Sequence, residues 1–426
     1  MTVSHRADTW ARGFLWLGLL ASLVGFLGYY DAAGFVTPPP FVVLALQLIA
    51  AGGGILLFRT RLLGHISALM PLLLVAAWAG ATLLWAEDPT TGLRRWLLVF
   101  VPGILLCAMA AADTRPRHTF NWFLVLVVTI TIASGSFSAL VSAFSDTRVS
   151  GESLRHMLID VNGWTLGVAE GGRQSINLGF YVPRFSGLTS NPNSMGLFAA
   201  IALVGLCAVT QPKRDTRSAG LVLIIGLVAV LLLLSASRAA FAMAATGIFV
   251  VFLLRTDRRR MARAAMLLIC GSTVSLYLMT WLSGAVPDPG NTEIFELRER
   301  AQVWGIAIQA IGNVWPLGLG FGLTQEAIYA PLGLATAAHS VTLSILLETG
   351  MIGLVLVLIA WFHPALRTTQ ANSLITSADI AIVALLLGLF VHQTVDSSVF
   401  RYHWAHFVFV YLLGASAGLA GSRTNE

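Results

Sequence analysis

The chain has 426 residues, of which 57% are hydrophobic and only 11% charged, and its mean hydropathy is +0.80. No soluble globular protein of this length has that balance, so the composition is that of a polytopic membrane protein. The formal charge of +6 and the pI near 9.6 trace to basic segments beside apolar runs, and nucleic acid is not an expected partner.

Apolar runs long enough to cross a bilayer lie near 13–30, 40–58, 67–85, 94–112, 120–144, 193–211, 218–236, 238–254, 264–283, 340–362, 375–395 and 403–421. With no water to satisfy backbone groups, continuous runs of this kind form helices; the strands of a membrane barrel would alternate instead. The predicted fold is therefore all-α: one membrane domain over residues 1–426 with about 12 transmembrane helices and a large outer loop carrying short helices. Arg6 and Arg12 before the first run resemble a signal peptide, but the spans that follow favour an uncleaved first helix. With a cytoplasmic N-terminus, the inside segments hold 16 of the 26 Lys and Arg, including Gln211–Arg217 and Arg255–Arg263. That bias places both termini inside. Cys107, Cys207 and Cys270 all fall in apolar runs, as packing residues do, and imply no disulfide framework.

Two outside loops, 145–192 and 284–339, are long, polar and irregular, which in a compact protein marks function. The first leads into Arg184-Phe185-Ser186-Gly187-Leu188-Thr189-Ser190-Asn191-Pro192-Asn193-Ser194-Met195-Gly196. Asn191 followed by Pro192 is the signature of a capped helix start. Free amides and the helix dipole there favour an anion, and Arg184 stands close enough to share it. A capped helix with an arginine at headgroup level is the plainer reading.

The second loop contains Glu293–Trp304, the start of an amphipathic helix with Ile294, Leu297, Ala301, Trp304 and Ile308 at helical spacing. Such a helix can lie along the bilayer surface. Arg298 and Arg300 point about 160° apart on it, so they do not make the same contact; pairing with Glu296 or Glu299 is the plainer reading for either. Pro316–Gly322 is a glycine-rich turn with neither a preceding strand nor a following Lys-Ser/Thr, so it is a bend and not a nucleotide loop. His339 is expected in the first turn of the next spanning helix, capped by Thr336 and followed by Ser340. A neutral imidazole among fixed arginines is a candidate general base for chemistry on a phosphate-bearing lipid. Glu348 lies roughly 13 Å deeper and half a turn round, too far to orient His339; a structural bond to a neighbouring helix and a functional role are both open. His392, Asp396, Arg401, His403 and His406 crowd the last outside turn, mainly as a packing network, and Arg238 lies at another outer helix end. No cluster has metal-site spacing.

Three stretches together resemble the O-antigen ligase family and its wider ligase and polymerase superfamily. They are Arg184…Asn191-Pro192-Asn193…Gly196, Arg298…Trp304 followed by Pro316…Gly322, and His339-Ser340-x9-Gly350-x-x-Gly353. The resemblance implies a glycosyltransferase of the bacterial cell inner membrane with its site on the periplasmic face, the two long loops being periplasmic. It implies transfer of O-antigen polysaccharide from undecaprenyl pyrophosphate to the lipid A–core oligosaccharide in lipopolysaccharide biosynthesis, without metal or cofactor. The residues fit that chemistry: Arg184, Arg298 and Arg300 as pyrophosphate cations, His339 as base, and Asn191, Asn193, Trp304 and Ser340 in support. The partners are the two lipid-linked glycans and the surrounding lipids. An O-antigen polymerase, a protein O-oligosaccharide ligase and a lipid-linked oligosaccharide transporter are the alternatives. A transporter is expected to show paired charges or broken helices near mid-membrane; in the sequence only Glu348 lies clearly there.

Overall fold

A computed structural model of the chain describes residues 3–24, 40–144, 191–210, 216–282, 297–332, 338–370 and 375–423, with short strand and turn segments within 29–36 and 158–189. Among the described residues there are twelve α-helices: α1 (Val3–Val24), α2 (Pro40–Ala81), α3 (Pro89–Ala111), α4 (Pro116–Phe144), α5 (Pro192–Val209), α6 (Thr216–Ser235), α7 (Arg238–Arg255), α8 (Arg259–Leu282), α9 (Leu297–Val314), α10 (Val341–Gln370), α11 (Ser377–Gln393) and α12 (Trp404–Arg423). Six of them, α3, α4, α5, α7, α10 and α12, carry described stretches long and apolar enough to cross a membrane. The protein is a helical membrane protein.

The apolar runs and the helices correspond closely, with two corrections. First, the runs at 40–58 and 67–85 fall within one helix, α2. That helix is not straight. Gly54 packs against Met109 of α3, and Gly80 against Trp96 of the same helix. The two glycines would be about 39 Å apart along a straight helix, whereas Trp96 and Met109 are only about 20 Å apart. Pro71, inside α2, is one source of bending. Second, α9 corresponds to none of the predicted runs. It is the predicted amphipathic helix, its described part beginning at Leu297, and Glu293 lies outside the described residues.

Short helices are expected in the large loop 284–339 and not in the loop before α5. Within 158–185 the chain instead forms small antiparallel ribbons, Leu158–Val161 with Trp164–Gly167, Ala169–Glu170 with Arg184–Phe185, and Ile176–Asn177 with Tyr181–Val182. The described part of 297–339 holds α9, a wide turn at Gln325–Tyr329 and a tight helical turn at Ala330–Leu332. The apolar face of α9 does not lie on the bilayer as the sequence suggested. Val303, Ala307, Ile308 and Ile311 are buried with Tyr329, Ala338, Leu343 and Leu347, so α9 packs on the first turns of α10.

The core is built from α3, α5, α10, α11 and α12 around Trp361, Phe198, Phe390 and Trp404. Phe198 stacks on Trp404 at 3.9 Å between ring centroids. Small residues allow close helix approach: Gly414 lies against the Cys107 carbonyl, and Gly418 lies near the Ala110 and Ala111 carbonyls. Such contacts are the usual glue where lipid offers no hydrophobic drive between helices.

One irregularity organises the outer half. α10 is broken at Gly350, whose φ of 68° and ψ of −169° only glycine adopts readily. The glycine-rich segment Pro316–Gly322 lies in the break. Leu319 and Gly320 donate to the carbonyls of Leu347 and Glu348 at 2.8 and 2.9 Å, and Met351 donates to Pro316 at 3.0 Å. Trp78 donates to the Thr349 carbonyl at 2.8 Å. Every one of these groups would otherwise be an unsatisfied backbone group in an apolar setting. Close approach requires glycine on both sides: a Cβ at Gly318 would sit 2.6 Å from the Glu348 backbone, and one at Gly350 would overlap the Pro316 carbonyl. Replacing Gly350 with Ala is therefore expected to destabilise the protein by about 3 kcal/mol or more, from left-handed strain plus the clash. Gly52→Ala, where a Cβ meets nothing within 4 Å, is expected to be neutral or slightly stabilising. Thermal unfolding of the two purified variants in detergent checks the contrast.

Candidate functional site

His339 does not sit inside the first helical turn as expected. It precedes the helix, with φ of 44°, in the left-handed region that a histidine adopts only when held there. The cap is Ser340, not Thr336, which lies outside the described residues. Ser340 is fully buried. Its hydroxyl accepts from the Leu343 amide at 3.4 Å, and its carbonyl from the Ser344 amide at 2.9 Å.

The chain is fixed on both sides of the histidine. Trp304 donates its indole N–H to the Ala338 carbonyl at 2.8 Å. The Val341 amide donates to the Asp396 carbonyl at 3.0 Å. Trp304 thus has an observed positioning contact, one residue before His339. His339 itself is half-buried.

The Asp396 bond brings the crowded last turn beside His339. Within that turn His392 Nδ1 lies 3.9 Å from Asp396 and 3.1 Å from Gln393 Nε2. Gln393 accepts from the Ser398 and Val399 amides, at 3.0 and 2.9 Å. His403 Nδ1 accepts from the Ala405 amide at 3.2 Å. Burial, only partly offset by Asp396, pulls the His403 imidazole down to about 4. His406 lies against the Val99 carbonyl at 3.2 Å. The turn is thus mainly a packing network, as the sequence suggested.

The Asn191 cap is present. Its side chain accepts from the Asn193 amide at 2.7 Å, Pro192 follows it, and α5 begins there. Gly196 lies against Ser235 and Ser237, and Ser237 caps α7 through the Ala240 amide, so Arg238 starts α7 on the same face. Phe198 joins this region to Trp404, next to His403. The Asn191 stretch, the last turn and His339 therefore lie on one face. Arg184 is paired through its backbone with Glu170, while Arg298 and Arg300 fall in the first turn of α9. The side chains of these three arginines lie outside the described residues.

The charged pair that sequence reasoning left open is Glu348 with Arg401. Glu348 is fully buried. Arg401 grips it in two-pronged fashion at 3.0 and 2.6 Å, and Thr324 donates to it at 2.8 Å. A second such pair, Arg95 with Glu326 at 2.7 and 2.6 Å, lies nearby; the Arg95 bond is the main influence holding the Glu326 carboxyl below its usual range. Arg95 also reaches the Gly322 carbonyl. The sequence signals were slight: one carboxylate inside an apolar run, and an arginine in a crowded turn with nothing to say which partner it takes.

A broken helix beside a buried charge pair is the feature expected of a transporter. Here the break is filled by the protein's own backbone, and the carboxylate is fully engaged. Among the described residues, the groups at the break are taken up by these backbone and side-chain partners. Removing one partner is costly, so Glu348→Gln is expected to destabilise the protein by roughly 3 kcal/mol. The double change to Glu348→Met with Arg401→Met is expected to recover much of that loss. Unfolding midpoints of the single and double variants test the pairing.

Among the described residues, no group of three or more His, Cys, Asp or Glu could hold a metal ion. No curated protein matches the chain. Residues 220–358 match the family described as O-antigen ligase. That span takes in Arg298, Arg300, Trp304, His339, Ser340 and the Glu348–Gly353 break, and leaves Arg184, Asn191, Asn193 and Arg401 outside it. The segment that carries His339 and the broken helix is therefore similar to the O-antigen ligase family.

Proposed function

We propose that this protein is an O-antigen ligase. In this reading it transfers O-antigen polysaccharide from undecaprenyl pyrophosphate to a sugar hydroxyl of the lipid A–core oligosaccharide. The observation that carries the reading is the conformation of His339, held left-handed between the Trp304–Ala338 and Asp396–Val341 bonds. Strain of that kind persists only where the surroundings impose it, and it clusters at functional sites.

His339 takes the proton of the acceptor hydroxyl as general base. The hydroxyl oxygen forms its bond to the anomeric carbon of the donor as the bond to the pyrophosphate oxygen breaks. Undecaprenyl pyrophosphate leaves with that electron pair, and one displacement without a protein nucleophile inverts the anomeric centre. Arg184 and one of Arg298 or Arg300 compensate the developing charge through charge-assisted hydrogen bonds. Guanidinium groups thereby supply what a divalent ion would otherwise supply. Asn191 and Asn193 shape the start of α5 beside them; Trp304 and Ser340 hold the histidine segment. The site faces the periplasm, and about twelve crossings of the inner membrane leave both termini in the cytoplasm.

An O-antigen polymerase would use the same donor but add to another lipid-linked glycan, and the family match spans both activities. Purified protein with lipid-linked O-antigen and lipid A–core is expected to yield ligated lipopolysaccharide, in excess EDTA as without it. His339→Ala is expected to abolish the product while the variant still inserts and elutes as wild type. Growth of the donor glycan instead of the core-linked product would make the protein a polymerase, and normal product from His339→Ala would remove its role as base.

The three arginines are expected to differ. Arg184→Ala loses most of the transfer, and Arg184→Lys recovers only part, because lysine keeps the charge but not the planar fork. Arg298→Ala and Arg300→Ala differ from each other, since the two side chains leave α9 in different directions. Initial rates of the same assay decide this; equal, mild losses at all three would place the pyrophosphate elsewhere.

A further inference from the structure

α10 starts two residues after His339 and runs for 30 residues to Gln370. At 1.5 Å per residue the 20 residues beyond the break at Gly350 alone cover about 30 Å, the thickness of a hydrocarbon core. Its far end therefore lies at the opposite membrane face. There a cleft open to solvent lies between the turn joining α7 to α8 and the end of α10. Its walls include Arg258, Arg259, Arg260 and Arg263 on one side and Thr369 and Gln370 on the other.

We infer that this cleft binds the headgroup of an anionic phospholipid from the leaflet opposite His339.

The charge is concentrated, and among the described residues little of it is compensated. Among the described residues, Asp257 is the one acid lining the cleft, and it lies 2.9 Å from Arg259. Among the described residues no carboxylate pairs with Arg258, Arg260 or Arg263. Arg263 Nε is shut off from solvent and has no hydrogen-bond partner among the described residues, a donor held in place with nothing to donate to. A neighbouring arginine shows the contrast: Arg255 is used internally, donating to the Ala208 carbonyl at 3.0 Å and to that of Thr210 at the end of α5.

The apolar flanks favour a lipid over a soluble anion. Phe249 and Phe252 on α7 are 50% and 52% exposed, and Leu267 and Leu268 on α8 are 71% and 72% exposed. They run away from the cleft along the two helices that form its wall. Arg258 lies over the Phe252 ring at 6.0 Å, so charge and apolar surface meet at the rim. A diacyl phospholipid uses both, with its phosphate among the arginines and its chains along α7 and α8; basic clefts between membrane helices are suited to such headgroups. A basic loop that served only to orient the chain would need neither the cleft nor the enclosed Arg263 nitrogen.

The test is native mass spectrometry of the full-length protein, stripped of lipid in detergent and titrated with phosphatidylglycerol, cardiolipin or phosphatidylcholine. Glycerol phosphate and inorganic phosphate serve as headgroup-only probes. The anionic lipids are expected to bind at least tenfold more tightly than phosphatidylcholine, and to weaken as ammonium acetate is raised. Arg260→Gln and Arg263→Gln are each expected to lose about fivefold, from roughly 1 kcal/mol per arginine, while Arg117→Gln, outside the cleft, loses nothing. Arg260→Lys and Arg263→Lys keep the charge and stand in should the glutamine variants not fold. Equal binding of all three lipids, binding indifferent to salt, no loss on changing the cleft arginines, or headgroup probes binding as tightly as lipid would each overturn the inference.

Discussion

The half of this protein that holds His339 depends on a repair. A helix broken inside a membrane exposes carbonyl and amide groups that no water can satisfy, and α10 is broken at Gly350. The groups freed there are taken up by the backbone of Pro316–Gly322 and by the Trp78 indole. The arrangement works only because both strands of the contact are glycine-rich, so that backbone meets backbone without an intervening Cβ. The two-pronged Arg401–Glu348 pair then ties the turn before α12 to the same point. A buried carboxylate is expensive unless fully engaged, and here Thr324 supplies a further donor.

The consequence reaches His339. Once residues 316–322 are fixed in the break, α9 before them and the Gln325–Tyr329 turn after them have little freedom. Tyr329 donates to the Val303 carbonyl at 3.2 Å, and the apolar face of α9 closes over Leu343 and Leu347. Trp304 then stands where its indole reaches the Ala338 carbonyl. Asp396, on the turn anchored by Arg401, holds the other side through Val341. The histidine is positioned by backbone bonds from two separate parts of the chain, which is why it can keep a left-handed conformation that it would abandon in isolation.

The same facts bear on the choice between an enzyme and a transporter. Transport needs a break that opens onto a cavity, with free groups to meet the cargo. Here the break is closed, and the tension in the backbone sits a helical stretch away, at His339.

Much of the helical layout was legible in the sequence because, in lipid, length and apolarity alone decide whether a segment is a helix. The Asn191-Pro192 start of α5 was equally legible, since a cap and a proline act locally. The amphipathic character of α9 was visible too, but not what its face would cover. Periodicity says which side is apolar, not whether lipid or protein meets it. The bend that folds two apolar runs into α2 was hidden because the two runs join without a helix-breaking segment. His339 stood out as a chemical candidate, yet its left-handed backbone and its place before the helix come from Trp304 and Asp396, 35 residues before it and 57 after it. Glu348 announced itself as a carboxylate in an apolar run; that it meets Arg401 was decided by the packing of α10 against the turn before α12. Local chemistry and the membrane solvent settle the elements, while the partner of each buried charge and the conformation of the histidine depend on contacts between distant segments, which only the tertiary structure brings together.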